Sequence, residues 1–279
     1  MEIDGKVVAE RAREILKEYV KESGIRSLVI GVSGGVDSAV CCALAYPVCI
    51  ELGIPLLGIS IPIDSNKQDE IQRAKLVGES LCTKFQEIDK TAMYKLTLGD
   101  IADRDKTILA DNHAARVRRG NIKARMRMIE LYDAAQATGG MVLSTDNLTE
   151  YLLGFWTLHG DVGDFGMIQE LWKMEVYQLA TYLAKESEAS NPVGTSAMVR
   201  CAQATPTDGL GVSESDLEQL GAESYEKVDD ILNFHTIIGY RMPEKENCPV
   251  IQRHKASRYK RDNPFNIKRS MLLDEEDDE

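Results

Sequence analysis

The stretch Leu28–Ser38, LVIGVSGGVDS, constrains this chain more than any other. A run of branched apolar residues enters Ser33-Gly34-Gly35-Val36-Asp37-Ser38, and AVCCALAY follows with helical character. The order is buried strand, glycine-rich turn, helix start. Two adjacent glycines let the backbone take positive φ and approach a ligand closely. The turn's peptide N–H groups, the unpaired donors of the helix N-terminus and its positive dipole end then form an anion cradle over Gly31, Val32, Ser33, Gly34, Gly35, Val36, Asp37 and Ser38. Ser33 and Ser38 add hydroxyls. Asp37 would repel a phosphate, which makes sense if it holds a divalent cation that the phosphates share. A tight turn with an ordinary helix cap is the plainer alternative. No Gly-Lys-Ser/Thr follows, and the GxGxxG dinucleotide fingerprint is missing, so the loop is neither a Walker A nor a dinucleotide turn.

With 279 residues, 43% hydrophobic and 28% charged, the chain can build one large α/β domain. No apolar run reaches membrane-spanning length, and the charged, amphipathic start is unlike a signal peptide, so a cytoplasmic protein is expected. Six cysteines (41, 42, 49, 82, 201 and 248) form no CxxC pair and read as reduced packing residues rather than a zinc site. The net charge of −12 argues against a nucleic-acid surface; Asp274–Glu279 carries six of the acidic charges and reads as a solvated tail.

Hydrophobic spacing predicts helices over 3–23, from the glycine turn to about 52, over 66–83, 112–137, 148–157 and 168–186, and strands over 28–32, 56–61, 85–88 and 141–143. Residues 92–112 are ambiguous, and 159–166 reads as a loop. Residues 187–213 show little periodicity and read as a flexible loop able to act as a lid. Helices over 214–240 and 244–261 follow, making one domain over 1–262, and then an arm and acidic tail over 263–279. Alternation of strands and helices implies an α/β fold with a doubly wound parallel sheet and a helical C-terminal extension.

SGGVDS resembles the pyrophosphate loop of the N-type ATP pyrophosphatases, Rossmann-like enzymes of the adenine nucleotide alpha hydrolase type. Four further stretches resemble, in order, the ammonia-dependent NAD synthetases of that group: Gly120–Met128 (GNxxARxRM), Ser144–Glu150 (GTDxxxE, with Ser144 for Gly), Gly154–Asp161 (GFFTKYGD), and His254-Lys255 with Pro264-Phe265. The resemblance spans about residues 30–266. It implies ATP contacts at Thr145, Lys173 and Thr207, Mg2+ ligands at Asp37 and Glu150, and deamido-NAD contacts at Arg125, His254 and Lys255. It also implies a homodimer. Two departures stand out. Leu158 replaces a substrate-binding lysine, so that role is not carried over. The family's substrate-binding aspartate falls on Phe165 without a gap and on Asp164 with a shift of one, so Asp164 is taken as the candidate.

The implied reaction is attack of the nicotinate carboxylate of deamido-NAD on the α-phosphate of ATP, loss of pyrophosphate, and displacement of AMP by ammonia. Asp161 or Asp164 would help deprotonate ammonium. No glutaminase segment with a nucleophilic cysteine is present, so free ammonia or a separate donor is expected. If the strands over 28–32 and 141–143 are neighbours, Asp37 and Glu150 reach the same crevice. Alternatives are another ATP pyrophosphatase, a ligase for a different carboxylate, and a non-catalytic nucleotide-binding protein. An exposed basic helix face is the plain alternative for Arg125 and for His254-Lys255, and His113 and His235 are read as structural.

Overall fold

The computed structural model describes residues 2–64, 66–207, 210–212, 215–237 and 248–272. The acidic tail lies outside these residues, as do positions 214, 238–240 and 244–247 of the two expected C-terminal helices. The elements in chain order are α1 (Gly5–Ser23), β1 (Leu28–Gly31), α2 (Val36–Leu52), β2 (Leu56–Ser60), α3 (Gln68–Leu81), β3 (Lys84–Glu87), α4 (Thr91–Arg104), α5 (His113–Thr138), β4 (Met141–Ser144), α6 (Leu148–Leu153), β5 (Phe165–Gly166), α7 (Lys173–Ser187), α8 (Pro192–Gln203), α9 (Asp216–Leu220), α10 (Tyr225–Leu232), α11 (Pro249–Ala256), α12 (Arg258–Arg261) and α13 (Arg269–Leu272).

The five strands form one parallel sheet in the order β3-β2-β1-β4-β5. Side-chain alternation divides its faces. Leu28, Ile30, Met141 and Leu143 point into a core built with α1, α2, α7 and α8. Val29, Val142 and Ile59 point the other way, against Tyr94 of α4 and Met126, Met128 and Leu131 of α5. With both faces covered, the inner strands need no polar face, which is why LVIG and MVLS are almost wholly apolar. A third apolar cluster joins Leu152, Leu153 and Trp172 to Leu220, Val228, Leu232 and Val250, and this seats the C-terminal helices on α6 and α7. β1 and β4 are neighbours. The chain leaves β1 toward β2 on one side and pairs with β4 on the other, so the loops after these two strands flank a switch-point crevice.

Several sequence expectations need correction. The helix expected over 214–240 is divided at Gly221, φ 58°, into α9 and α10, and that expected over 244–261 is divided into α11 and α12. Residues 192–203, read as part of a loop, form α8. Asn191 caps it by accepting from the Gly194 N–H at 2.9 Å, Pro192 occupies its first turn, and Ala197, Met198 and Cys201 are buried against α3 and α7. Its small residues bury a stripe too thin to register as a hydrophobic period. The helix expected over 148–157 ends at Leu153, because Gly154 takes the left-handed conformation at φ 61°. The helix expected from 168 begins at Lys173. The expected loop 159–166 contains the two-residue strand β5, paired with β4. The ambiguous residues 92–112 hold α4 and a short 3-10 turn, Lys106–Leu109. All six cysteines are free, and five are buried.

Candidate active site

A cavity of about 350 Å3 opens where the loops after β1 and β4 meet. Gly31 to Asp37 form one wall, Thr145, Asp146 and Glu150 another, and Lys173 and Thr207 also line it. The glycine turn is braced from within. The Ser38 hydroxyl donates to the Gly35 carbonyl at 3.1 Å and accepts from the Ser33 N–H at 3.3 Å, while Ser33 Oγ accepts from the Gly35 N–H at 3.2 Å. Ser38 is buried and turned into the loop rather than into the cavity. Gly35, at the N-cap of α2, has no side chain to offer the helix, so the first-turn donors face the crevice without a protein cap. α3 holds the turn from behind: Arg73 Nε donates to the Gly34 carbonyl at 3.0 Å.

The charged centre is a triad. Lys173 Nζ lies 2.6 Å from Asp37 Oδ2 and 3.0 Å from Glu150 Oε1. Asn147 ties the same groups: its Nδ2 donates to Asp37 Oδ1 at 2.9 Å, and its Oδ1 caps α6 by accepting from the Glu150 N–H at 3.0 Å. Asp37 leaves β1 and Glu150 follows β4, so two carboxylates far apart in sequence reach one point. Burial opposes the Lys173 charge, but Asp37 and Glu150 outweigh it and hold its pKa well above the usual lysine range. Lys173 keeps its proton, and the competition falls on the acids, since one ammonium cannot neutralise several. Burial, partly offset by Lys173 and reinforced by Asp37 and Asp146, pushes Glu150 up to about 8. Burial and then the charge of Asp161 push Asp146 up to about 7, against a 2.7 Å hydrogen bond from the Ser144 hydroxyl. Ser144, the departure in the GTDxxxE stretch, thus acts on a site carboxylate. Asp161 is pushed up to about 7 by burial, although it accepts from the Thr157 N–H at 2.8 Å.

No group of three or more His, Cys, Asp or Glu placed to hold a metal occurs among the described residues. A closed all-protein cage is therefore missing, but Mg2+ in phosphate sites typically takes one or two carboxylates and completes its shell with phosphates and water. Asp37 and Glu150 beside the glycine turn fit that pattern. Cys41 lies close behind, its Sγ 3.6 Å from the Ser144 carbonyl, but burial first and then Asp37 push its thiol well up, so it is no nucleophile.

Among the described residues, the cavity wall contains none of Arg125, Asp164, His254 and Lys255. Arg125 is exposed and grips the Leu158 carbonyl at 3.1 and 3.3 Å. Lys255 is exposed. Asp164 is occupied at the sheet edge, accepting from the Val142 N–H at 2.9 Å and from the Tyr132 hydroxyl at 2.7 Å, which fastens β5 beside β4. His254 Nδ1 donates to the Leu152 carbonyl at 2.8 Å. It belongs to a set of basic residues that cap the end of α6: Arg261 reaches the same carbonyl at 2.7 Å, Arg253 reaches Leu153 at 3.1 Å, and Lys260 reaches the carbonyls of Gly154 and Trp156. Cations at a helix C-terminus satisfy its open carbonyls and its negative dipole end. Sequence reasoning gave no role to Arg73, Asn147 or Asp146; Asp146 stood within the GTDxxxE stretch, and Asn147, three residues before Glu150, carried a local signal, the capping box.

The model of the NAD synthase family matches residues 8–264. The chain belongs to that family. Among curated NAD synthases it is 33% identical to the NH3-dependent NAD+ synthetase of Alkaliphilus metalliredigens, over 94% of this chain and 97% of the relative. It is 30% identical to that of Thermoplasma acidophilum, over 93% and 97%. Among solved structures, an NMN synthetase from Francisella tularensis superposes with a TM-score of 0.75 at 26% identity, covering 93% of this chain and 97% of that one. The NH3-dependent NAD synthetase of Campylobacter jejuni, at 22% identity and a TM-score of 0.70 over 95% and 100%, shares the fold. The α/β fold with its parallel sheet is thus the NAD synthase fold.

Proposed function

We propose that this NAD synthase family member amidates the nicotinate carboxylate of deamido-NAD with ammonia, consuming ATP and releasing AMP and pyrophosphate. The observation that supports this best is the meeting of Asp37, Glu150 and Lys173 beside an uncapped glycine turn at the switch point. A carboxylate resists ammonia, whereas its adenylate offers a good leaving group. The chain's work is to hold ATP with its α-phosphorus facing the acyl oxygen and to steady charge as pyrophosphate leaves. The Gly31–Asp37 turn binds the phosphates through backbone donors, and Lys173 supplies a fixed positive charge. Thr145 and Thr207, both in the cavity wall, are assigned to ATP. Mg2+, held by Asp37 and Glu150, would neutralise developing charge on the phosphates. Asp161, in the cavity wall with its pKa pushed up to about 7, is assigned to take a proton from ammonium. Arg125 and Lys255 keep exposed charges and stay assigned to the dinucleotide, as do Asp164 and His254, which also hold internal hydrogen bonds.

The decisive assay supplies ATP, Mg2+, ammonium and deamido-NAD and measures NAD and AMP together; AMP without NAD, or neither, sinks the reading. A second arm replaces deamido-NAD by nicotinate mononucleotide. Two observations favour that smaller substrate as a second reading: the likeness to an NMN synthetase, and Leu158 where the resemblance expects a substrate-binding lysine. The family resemblance also supports a homodimer in the cytoplasm fed by free ammonia or by a separate donor. Among the described residues no helix is long and apolar enough to cross a membrane. Light scattering that gave a single 31.0 kDa chain would remove the dimer.

A further inference from the structure

Asp229 is fully buried, lies outside the cavity wall, and belongs to α10, far along the chain from every phosphate-site residue. Its two oxygens do different jobs. Oδ1 accepts from the Thr149 hydroxyl at 2.6 Å, and Oδ2 accepts from the Met174 N–H at 3.0 Å. Thr149 Oγ1 in turn accepts from the Lys173 N–H at 2.9 Å. Thr149, also fully buried, is the residue before Glu150. The sequence of bonds is therefore Lys173 N–H to Thr149 hydroxyl to Asp229, with Met174 N–H closing the other side.

Two backbone donors in the first turn of α7 are satisfied in this way by other helices, Lys173 N–H by Thr149 of α6 and Met174 N–H by Asp229 of α10, and the same Asp229 carboxylate grips α6 beside Glu150. One turn earlier on α10, the Tyr225 ring stands 5.4 Å from Lys173 Nζ, and its hydroxyl donates to Asp216 at 3.0 Å. Helix α10 thus faces the head of Lys173 through Tyr225 and reaches its backbone through the Asp229–Thr149 relay. A buried carboxylate is costly to keep in a protein interior unless its lone pairs are engaged. Apolar packing alone would seat α10, since Val228 and Leu232 already lie in the third cluster. The polar pair adds register between α6 and α7, which apolar contacts leave loosely defined.

We infer that Asp229 and Thr149 are positioning residues for adenylation: they set the relative placement of Lys173 and Glu150 at the phosphate site and touch no substrate themselves. This rests on the proposed reaction, in which charge on the departing pyrophosphate grows only in the transition state. Misplacement of Lys173 and Glu150 therefore lowers kcat and leaves the binding of deamido-NAD nearly unchanged.

The test compares the full chain with Thr149→Val, Thr149→Ser, Asp229→Asn and the double variant Thr149→Val/Asp229→Asn. Each is assayed for NAD formation at a temperature where its own melting curve shows it folded. Thr149→Val keeps the volume and deletes the relay hydroxyl, whereas Thr149→Ser keeps the hydroxyl. The expected result is a kcat about ten- to a hundredfold lower for Thr149→Val and for Asp229→Asn, the usual range when a group supporting a ligating residue is lost. The KM for deamido-NAD stays within about twofold. Thr149→Ser recovers most of the rate, and the double variant is no slower than the worse single variant, because both changes cut one chain of bonds. The inference is overturned if Thr149→Val turns over like the wild type, if Thr149→Ser is as slow as Thr149→Val, or if the two single losses multiply. Should Asp229→Asn fail to fold, the valine and serine pair decides alone. If the wild-type chain makes no NAD, the proposed reaction has failed, which is a different outcome from active wild type with unaffected variants.

Discussion

Gly34 has φ 81°, and a Cβ there would lie 2.4 Å from the Glu70 carbonyl oxygen and 2.9 Å from the Ala74 nitrogen. The turn is pressed against α3 so closely that only glycine fits, both for its backbone angle and for its lack of a side chain. Gly34→Ala is expected to abolish ATP binding, seen as loss of the ATP-induced rise in Tm. At the charged centre, Lys173→Met leaves the partly buried Asp37 and Glu150 without their shared cation. A lower denaturant midpoint should accompany loss of activity. Asp37→Ala and Glu150→Ala are each expected to lower ATP cleavage by about a hundredfold or more, measured as pyrophosphate release; wild-type rates in either would remove the metal assignment. Trp156 tests the opposite sign. Its Nε1 is buried and has no hydrogen-bond partner among the described residues. Trp156→Phe deletes that stranded donor, so the ligand-free Tm should hold or rise, and a fall of several degrees would count against this expectation.

The elements carry a second lesson, which concerns what supports a site from behind. α6 has only six residues and presents Glu150. Such a helix cannot stand alone. It is held at its start by the Asn147 capping box and at its end by the basic residues of α11 and α12. His254, assigned to substrate on the strength of a motif, also serves the helix that presents Glu150. α8 shows the same principle through apolar contact. Met198 is 1% exposed, and Met198→Ala should cost about 2–5 kcal/mol in a denaturant titration. A change under about 0.5 kcal/mol would mean that 192–203 behaves as the surface loop its sequence suggests.

For the whole molecule, the acidic crevice couples stability to pH. Asp146, Glu150 and Asp161 sit at about 7, 8 and 7 in the fold, against roughly 4 in an unfolded chain. Between those limits the native state binds more protons than the unfolded one, so stability falls as pH rises from about 4 through about 8 and then levels off. A series of melting temperatures without ligand should show that decline. Adding Mg2+ should raise Tm more at pH 8 than at pH 5, because the cation replaces the missing protons. A flat profile would mean that these carboxylates are already neutralised by the protein's own cations.

Local signals carried a good share of this. The glycine turn, the apolar strands and the long helices declare themselves because their patterns are short-range: period two on a strand, period 3.6 on a helix, and positive φ at glycine. Asp37, Glu150 and Lys173 were legible as members of motifs, and the adjacency of β1 and β4 was posed as a condition that the sheet order meets. Tertiary structure alone decided that Lys173 bridges the two acids, that His254 and Asp164 hold internal bonds, that 192–203 is a packed helix, and that Asp229 ties α6 to α7 behind the site. Each of these depends on which groups compete for the same buried hydrogen bonds across the fold. Spacing along the chain does not record that competition, because it is settled only when distant segments lose their water together.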